Sequence, residues 1–306
     1  MTEVERIIKD GILPESFFEE ELRCDFLVTK ERKKVWAVLI DLMLQLDRVC
    51  SKYGLRYFVT GGTLLGTVRH HGFIPWDDDV DVAMFRTDYI ELQKHADEFD
   101  HPYFLQTPYT EPNYYFSFAR LINDNTTYCS EMFAFQGYHA GISIDIFPID
   151  DWDLTEGKKA YDRIDYLNKE NSTFMRMKNP HLNSENLARV AGWSGIDPLK
   201  AYEEIQCLAM QFCGKETEYY SNAVVTIWKY GKDVYRKCCI ANLKYMDFET
   251  IRVPVPCGHH EVLEGLYGDY MRLPPIEKRG TWHAHALIDP DKPYKVVLEE
   301  YKQTVL

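Results

Sequence analysis

Basic charge is scarce in this 306-residue chain: 35 Lys and Arg stand against 48 Asp and Glu, a formal net charge of -13. That balance excludes broad tracking of a nucleic-acid phosphate backbone, so an anionic ligand has to be met locally, by a metal ion or a few basic groups. The eight cysteines include no C-x-x-C pair and no Cys/His spacing of the zinc-finger kind. They read as buried thiols in a reducing compartment, with no structural zinc. No apolar run reaches the roughly 20 residues a spanning helix needs, and the most apolar stretch, Val35 to Leu46, is broken by Asp41 and Gln45. The opening MTEVERIIKDG is too charged for a signal peptide. Repeats, low-complexity tracts and long linkers are missing as well. What remains is a globular composition, 45% hydrophobic and 27% charged, which sets aside disordered, collagen-like and disulfide-stapled chains. The expectation is a cytoplasmic protein able to visit a membrane surface without crossing it.

Val35, Leu39, Leu42, Leu46 and Val49 recur at steps of three and four, which predicts a core-packing helix capped by Thr29 and closed by Gly54. Arg56 to Thr60 is rich in β-formers and leads through Gly61-Gly62-Thr63 into a helical turn at Leu64 to His70: a strand, a tight glycine turn and a helix. From Asp79 to Met84 polar and apolar residues alternate as on a half-buried strand, and Thr87 is placed to cap a helix running to about Phe99. Tyr103 to Thr107, Tyr115 to Leu121, Thr126 to Ser130 and Ile142 to Phe147 read as further strands. Thr155 to about Gly214 turns helical, punctuated by Pro180, Gly192 to Gly195 and Pro198. Strand-like pieces at Val224 to Trp228, Lys237 to Ile240 and Ile251 to Val255 precede a helix from Glu261 to Tyr267 stopped by Gly268. The fold class is α+β, a mixed β-sheet core with flanking helices and a helical insertion.

Four aspartates within five positions, Asp77, Asp78, Asp79 and Asp81, are the sharpest chemical feature. On a strand, Asp79 and Asp81 share a face about 6.6 Å apart, and at an effective dielectric near 20 they repel by about 2 kcal/mol. A bound Mg2+, or Mn2+ in its place, gives a fold reason to hold them, since hard cations take carboxylates and substrate phosphates. For an isolated acidic run, a solvated loop is the better explanation. The glycine turn can approach a phosphate closely, though an ordinary turn accounts for Gly-Gly-Thr too. Asp145 adds a third carboxylate among the apolar Ile144 and Ile146. Together these residues make the set that two-metal phosphoryl transfer requires.

The stretch from Thr60 through Gly61-Gly62-Thr63, Arg69-His70-His71 and Trp76-Asp77-Asp78-Asp79-Val80-Asp81 resembles the signature of the LicD family of phosphocholine transferases, relatives of fukutin and the fukutin-related protein. Ser143-Ile144-Asp145-Ile146-Phe147-Pro148-Ile149-Asp150 is similar to the family's second motif. Tyr267 to Pro275, followed by Lys278, Arg279 and His283, is similar to its third. The resemblance runs from about residue 25 to 290 and implies a nucleotidyltransferase-like fold. It places Gly61, Gly62 and Thr63 on a phosphate turn and makes Asp79, Asp81 and Asp145 catalytic metal ligands, with Asp77 and Asp78 behind them. It implies transfer of phosphocholine, or a similar phosphorylated alcohol, from a CDP-linked donor to a sugar hydroxyl. The acceptor would be a cell-surface glycan, teichoic acid or lipopolysaccharide precursor, lipid-linked at the inner membrane face. CDP-ribitol or CDP-glycerol transfer, or a non-catalytic nucleotide or glycan module, are the alternatives. The lack of a membrane anchor and of a Cys-rich zinc site departs from the fukutin-related branch and favours the bacterial one. The implied layout is an N-terminal helical segment at 1–54, a catalytic core at 55–150, a helical insertion at 151–222 and a C-terminal segment at 223–306 that completes the site.

Arg69 is a candidate for a phosphate or equally for a salt bridge, and Arg120, interrupting an apolar strand, is a better phosphate candidate than a surface arginine, with a structural salt bridge as its alternative. His283 is raised above an ordinary histidine only by the family's C-terminal pattern. Trp76, Tyr114, Tyr115, Trp228 and Trp282 are available to an aromatic cage for a quaternary ammonium group. A D-D-x-x-D isoprenoid-diphosphate site is set aside, because such a site sits on a helix whereas Val80, Val82 and Met84 alternate.

Overall fold

The computed structural model describes residues 1–280 and 286–305. The chain opens with α1 (Glu3–Lys9), a ribbon of β1 (Glu21–Arg23) against β2 (Phe26–Val28), and the 24-residue α2 (Lys30–Tyr53). Thr29 accepts from the Arg32 N–H at the start of α2, and Gly54 ends it in the left-handed conformation, as the flanking residues predict. Next come β3 (Tyr57–Val59), α3 (Gly61–His70), β4 (Asp81–Phe85) and α4 (Arg86–Lys94). Strands β5 (Tyr103–Gln106), β6 (Ala119–Asn123), β7 (Thr127–Ser130) and the 11-residue β8 (Ile142–Trp152) follow. Helices α5 (Lys158–Arg176), α6 (Ser184–Ala191) and α7 (Pro198–Ala209) come before β9 (Tyr219–Ser221) and β10 (Val234–Arg236). The chain finishes with α8 (Lys237–Ile240), β11 (Leu243–Phe248), β12 (Ile251–Pro256), α9 (His259–Tyr267), β13 (Ala286–Asp289) and α10 (Tyr294–Val305).

The length of β8 organises a seven-stranded mixed sheet. Its first half pairs antiparallel with β6, its last three residues pair antiparallel with β9, and β4 runs parallel along the opposite edge. β3 and β10 flank β4 and β9, and β5 flanks β6. Ile142, Ile144 and Ile146 are buried on one face of β8, where α2 crosses it, so Ser143 and Asp145 are left on the other face. The α2 stripe is sealed, with Trp36, Leu39, Leu42 and Leu46 fully buried. Far strands also close on one another: β13 pairs with β7, which brings the C-terminal region back onto the first half.

Several elements differ from the pattern reading. β4 begins at Asp81, so Asp79 and Val80 belong to the loop before it rather than to a continuous D-x-D strand. Helix α4 starts at Arg86, directly after β4, and places Thr87 inside its first turn instead of at the cap. Residues Tyr115 to Phe118 lie outside strand and β6 starts only at Ala119, because the rings of Phe116 and Phe118 are used to wall a cavity. Val224 to Trp228 is irregular for the same reason, and Lys237 to Ile240 is a helical turn. All eight cysteines are free, and Cys207, Cys213, Cys238 and Cys257 are exposed rather than buried. Among the described residues no helix is long and apolar enough to cross a membrane.

Candidate active site

The acidic loop is pinned from below by α2. Arg32 Nη1 and Trp36 Nε1 both donate to the Asp77 carbonyl at 2.9 Å, and Trp36 stacks on Phe73 at 4.6 Å. The β11–β12 turn grips the same loop from the side. Glu249 accepts from the Phe73 N–H and from Arg23, and a Cβ at Gly72 would stand 2.1 Å from Glu249 Oε1, so a side chain there would have to displace that carboxylate. The helix α2 predicted purely as core therefore also holds the acidic loop in place.

Beside this loop, the glycine turn is tied directly to β4. The Thr60 N–H donates to the Asp81 carbonyl at 3.0 Å, and the Asp81 N–H donates to Thr63 Oγ1 at 2.8 Å. Thr63 thus secures the strand, and its hydroxyl oxygen is already engaged there. Gly61 adopts φ +54°, a conformation glycine takes without steric penalty. A Cβ at Gly61 would lie 3.0 Å from Asp81 Oδ2, and one at Gly62 would lie 2.9 Å from Asp77 Oδ2. The missing side chains leave a cradle between the turn and the carboxylates.

Asp145 reaches the same place from a different part of the chain. The parallel register sets Asp81 opposite Asp145 on β4 and β8, neighbouring strands being about 4.8 Å apart. Arg120 lies opposite Asp145 on the other side, and its Nε donates to Asp145 Oδ1 at 2.9 Å. Burial, then repulsion from Asp79, Asp145, Asp77 and Asp233, pushes the Asp81 carboxyl well above the usual carboxylate range. Asp77 is raised in the same way, by burial first and then by Asp79. Negative charge is concentrated here beyond what the local arginine offsets.

That donor set suits a hard divalent cation. Among the described residues no three His, Cys, Asp or Glu side chains are gathered into an ion-binding cluster. Mg2+ is bound through one or two carboxylates plus substrate phosphates rather than by a complete protein cage, so side chains that repel one another, next to a cradle open to a phosphate, fit it.

Asp79, Asp81, Asp145, Thr60 and Gly61 form one wall of a cavity of about 860 Å³. The opposite walls come from α5 and α6 and from the irregular stretch between β9 and β10. Residues 54–173 match the family model described as LicD/FKTN/FKRP, nucleotidyltransferase domain. The chain carries a LicD-family domain. It is 28% identical over 254 residues to the lipopolysaccharide cholinephosphotransferase LicD of Haemophilus influenzae, which covers 80% of this chain and 93% of that protein. Over a segment of 40 residues it is 51% identical to the ribitol 5-phosphate transferase FKRP of Homo sapiens and of Mus musculus, 13% of this chain and 8% of each relative.

The LicD domain does not gather every residue the sequence singled out. Arg69 donates to the Tyr270 carbonyl at 2.7 Å and to His70, so it braces α3 against the C-terminal segment and does not line the cavity. Arg120 is the salt-bridge reading of its two alternatives, laid 4.9 Å from the Phe116 ring. Asp78 is buried in the loop behind Asp79. Trp76 is buried against Phe26 and His70 with Arg279 over its face, apart from the cavity. Tyr114 is fully buried behind the wall, whereas Tyr115 and Trp228 line it. Trp282 and His283 lie outside the described residues.

Two residues that the sequence did not suggest belong to the site. Asp233, in the cavity wall just before β10, is pushed up to about 6 by burial, against the hydrogen bonds from Tyr235 and Asn222 that lower it. Tyr235 donates to Asp233 and lies 3.2 Å from Thr60 Oγ1, so the LicD domain's glycine turn is linked to a strand beyond its matched residues. The Asp-x-Tyr alternation of a short strand was the available signal, and nothing local distinguished it.

Proposed function

We propose that this protein transfers phosphocholine, or a closely related phosphorylated alcohol, from a CDP-linked donor to a sugar hydroxyl of a surface-glycan precursor. The observation that carries this reading is Asp81, set beside a glycine cradle at the head of a large cavity and surrounded by four further carboxylates. The cholinephosphotransferase relative, covered over most of its length, supports the phosphorylated-alcohol class.

In this reading the fold is of the nucleotidyltransferase kind. Asp79 and Asp81 would hold Mg2+, or Mn2+ in its place, with Asp145 completing the set. When bound, the ion supplies charge neutralisation to the donor diphosphate. Gly61 and Gly62 let backbone N–H groups approach the donor phosphate, and Asp145, steadied by Arg120, orients the acceptor hydroxyl. The acceptor oxygen forms the new P–O bond, the bond to CMP breaks, and the hydroxyl proton passes to a wall carboxylate. Tyr115 and Trp228 offer ring faces to a quaternary ammonium head group. We place the protein in the cytoplasm, working at the inner face of the membrane where lipid-linked acceptors are presented.

The test is nucleotide release. Purified protein with Mg2+ is incubated with CDP-choline, CDP-ribitol and CDP-glycerol, with and without glycan acceptors. CMP release from CDP-choline is the expected result. Preference for CDP-ribitol would move the head group toward the FKRP-like alternative, which the short 51% identical segment favours. Binding without CMP release from any donor, with Mn2+ also supplied, would reduce the chain to a nucleotide-binding module.

A further inference from the structure

The cavity has a second charged wall, and its cations are not equivalent. Lys169 and Arg176 reach it from α5 and Arg189 from α6. Lys169 is bridged to Asp165 and Arg189 to Glu185, each one helical turn away. Arg176 makes no such bridge among the described residues, and its Nε is buried with no acceptor. Its guanidinium rests on the Phe133 ring, 5.6 Å from the centroid. Burial, together with the charge of Arg189, makes its proton easier to lose than an ordinary arginine's.

Position distinguishes this arginine from Arg120. Phe133 meets Phe116 edge-on at 5.6 Å, and Phe116 carries Arg120 at 4.9 Å, so two aromatic rings lie along the path from Arg176 to the pair that closes on Asp145. Arg120 has spent its Nε on a protein carboxylate. Arg176, which lines the cavity, has not.

We infer that Arg176 is the anchor for a phosphate group of the substrate, gripping it at the helical wall while the transferred group reacts at the carboxylates. This rests on the transferase reading above and names a charge requirement of its substrates. The planar fork of a guanidinium matches phosphate with two parallel N–H donors, which a lysine cannot reproduce. In a chain of net charge -13, an anion entering a cavity with five aspartates in its walls needs a dedicated cation. The phosphate belongs either to the donor diphosphate or to an acceptor that carries one.

Calorimetry on the full chain separates these sources. Glucose 6-phosphate and glucose are titrated in EDTA, which removes metal-dependent binding at the carboxylates, and CDP-choline is titrated with Mg2+. The proteins are wild type, Arg176→Gln, Arg176→Lys and Arg189→Gln. Glucose 6-phosphate is expected to bind wild type more tightly than glucose and to lose at least about tenfold in Arg176→Gln, near 1.4 kcal/mol. Arg176→Lys should recover part of that loss, and Arg189→Gln should stay within about threefold of wild type because its charge is already paired. A parallel loss for CDP-choline assigns the phosphate to the donor, and unchanged CDP-choline affinity assigns it to the acceptor. Wild-type affinities for both ligands in Arg176→Gln overturn the inference, including when the variant melts at a lower temperature and so marks the arginine as packing for Phe133. Neither titration needs turnover, so absent CMP release with intact, Arg176-dependent phosphate binding would count against the transferase reading alone.

Discussion

Strand β8 carries an Arg–Asp pair at each end of its contact with β4, and the two pairs live in different surroundings. Toward its C-terminal end Arg86 and Asp150 are 8% and 0% exposed, joined by two parallel bonds of 2.7 and 2.5 Å. The third guanidinium nitrogen, Nη1, donates to Gln206, which in turn donates to the Ser117 carbonyl. Toward its start Arg120 and Asp145 are 27% and 25% exposed, joined through Nε alone, with Asp81 on the neighbouring strand. In the sealed pair every guanidinium nitrogen has an acceptor, and the pair holds α4 and α7 onto the sheet. The open pair leaves a carboxylate able to change partner, beside Asp81, which it repels. One strand thus holds a sealed scaffold pair at one end and an open pair beside the candidate site at the other, and solvent access separates them.

The comparison is tested most severely at the open end. Asp81→Asn should slow CMP release about a thousandfold, while its melting temperature holds or rises because a repelled carboxylate is gone. Near-normal turnover would remove the open end from the chemistry. At the sealed end, Arg86→Met should lower the unfolding free energy in urea by about 3–5 kcal/mol, since Asp150 is left buried and unpaired. A loss below about 1 kcal/mol would mean the two ends are alike.

A pH series sharpens the contrast between carboxylates paired with arginine and Asp233, which is held by the neutral donors Tyr235 and Asn222. Asp233 titrates at about 6 in the folded chain, above its unfolded value of about 3.9. Between those values the folded chain holds a proton that the unfolded chain has released, so stability falls as pH rises from about 4 to 6 and levels off above. Asp233→Asn should remove that part of the fall, up to about 3 kcal/mol, as read from urea midpoints at pH 4, 5, 6 and 7. An identical slope in the variant would show that the side chain titrates normally. The smallest effect belongs to Arg120→Gln, about 1 kcal/mol of stability for breaking a pair that water already reaches. A loss as large as that of Arg86→Met would erase the distinction.

Much of this site was readable from local pattern. The caps of α2, the glycine turn and the acidic run depend on neighbours a few residues apart, where periodicity and residue type are informative. Asp145 could be suspected from its place among isoleucines, yet only the parallel register of β4 on β8 puts it opposite Asp81. The choice between phosphate and salt bridge for Arg120 likewise depended on a cross-strand neighbour, which sequence spacing does not supply. Asp233 and Tyr235 were missed because Tyr235, which donates to Asp233, meets Thr60 across more than 170 positions of chain. Tyr115 to Phe118 and Val224 to Trp228 have strand composition, but their bulk is spent on enclosing a cavity, and tertiary demand overrode propensity.

The stretch that matches the family ends at residue 173, yet Asn222, Trp228, Asp233, Tyr235 and Leu266 also face the chamber. A graft carrying only the matched stretch into a relative would set a transplanted floor beneath the host's own ceiling. Exchanging head-group preference between relatives therefore calls for moving two separate portions of polypeptide together, and mutant libraries confined to the first would sample one side of the enclosure.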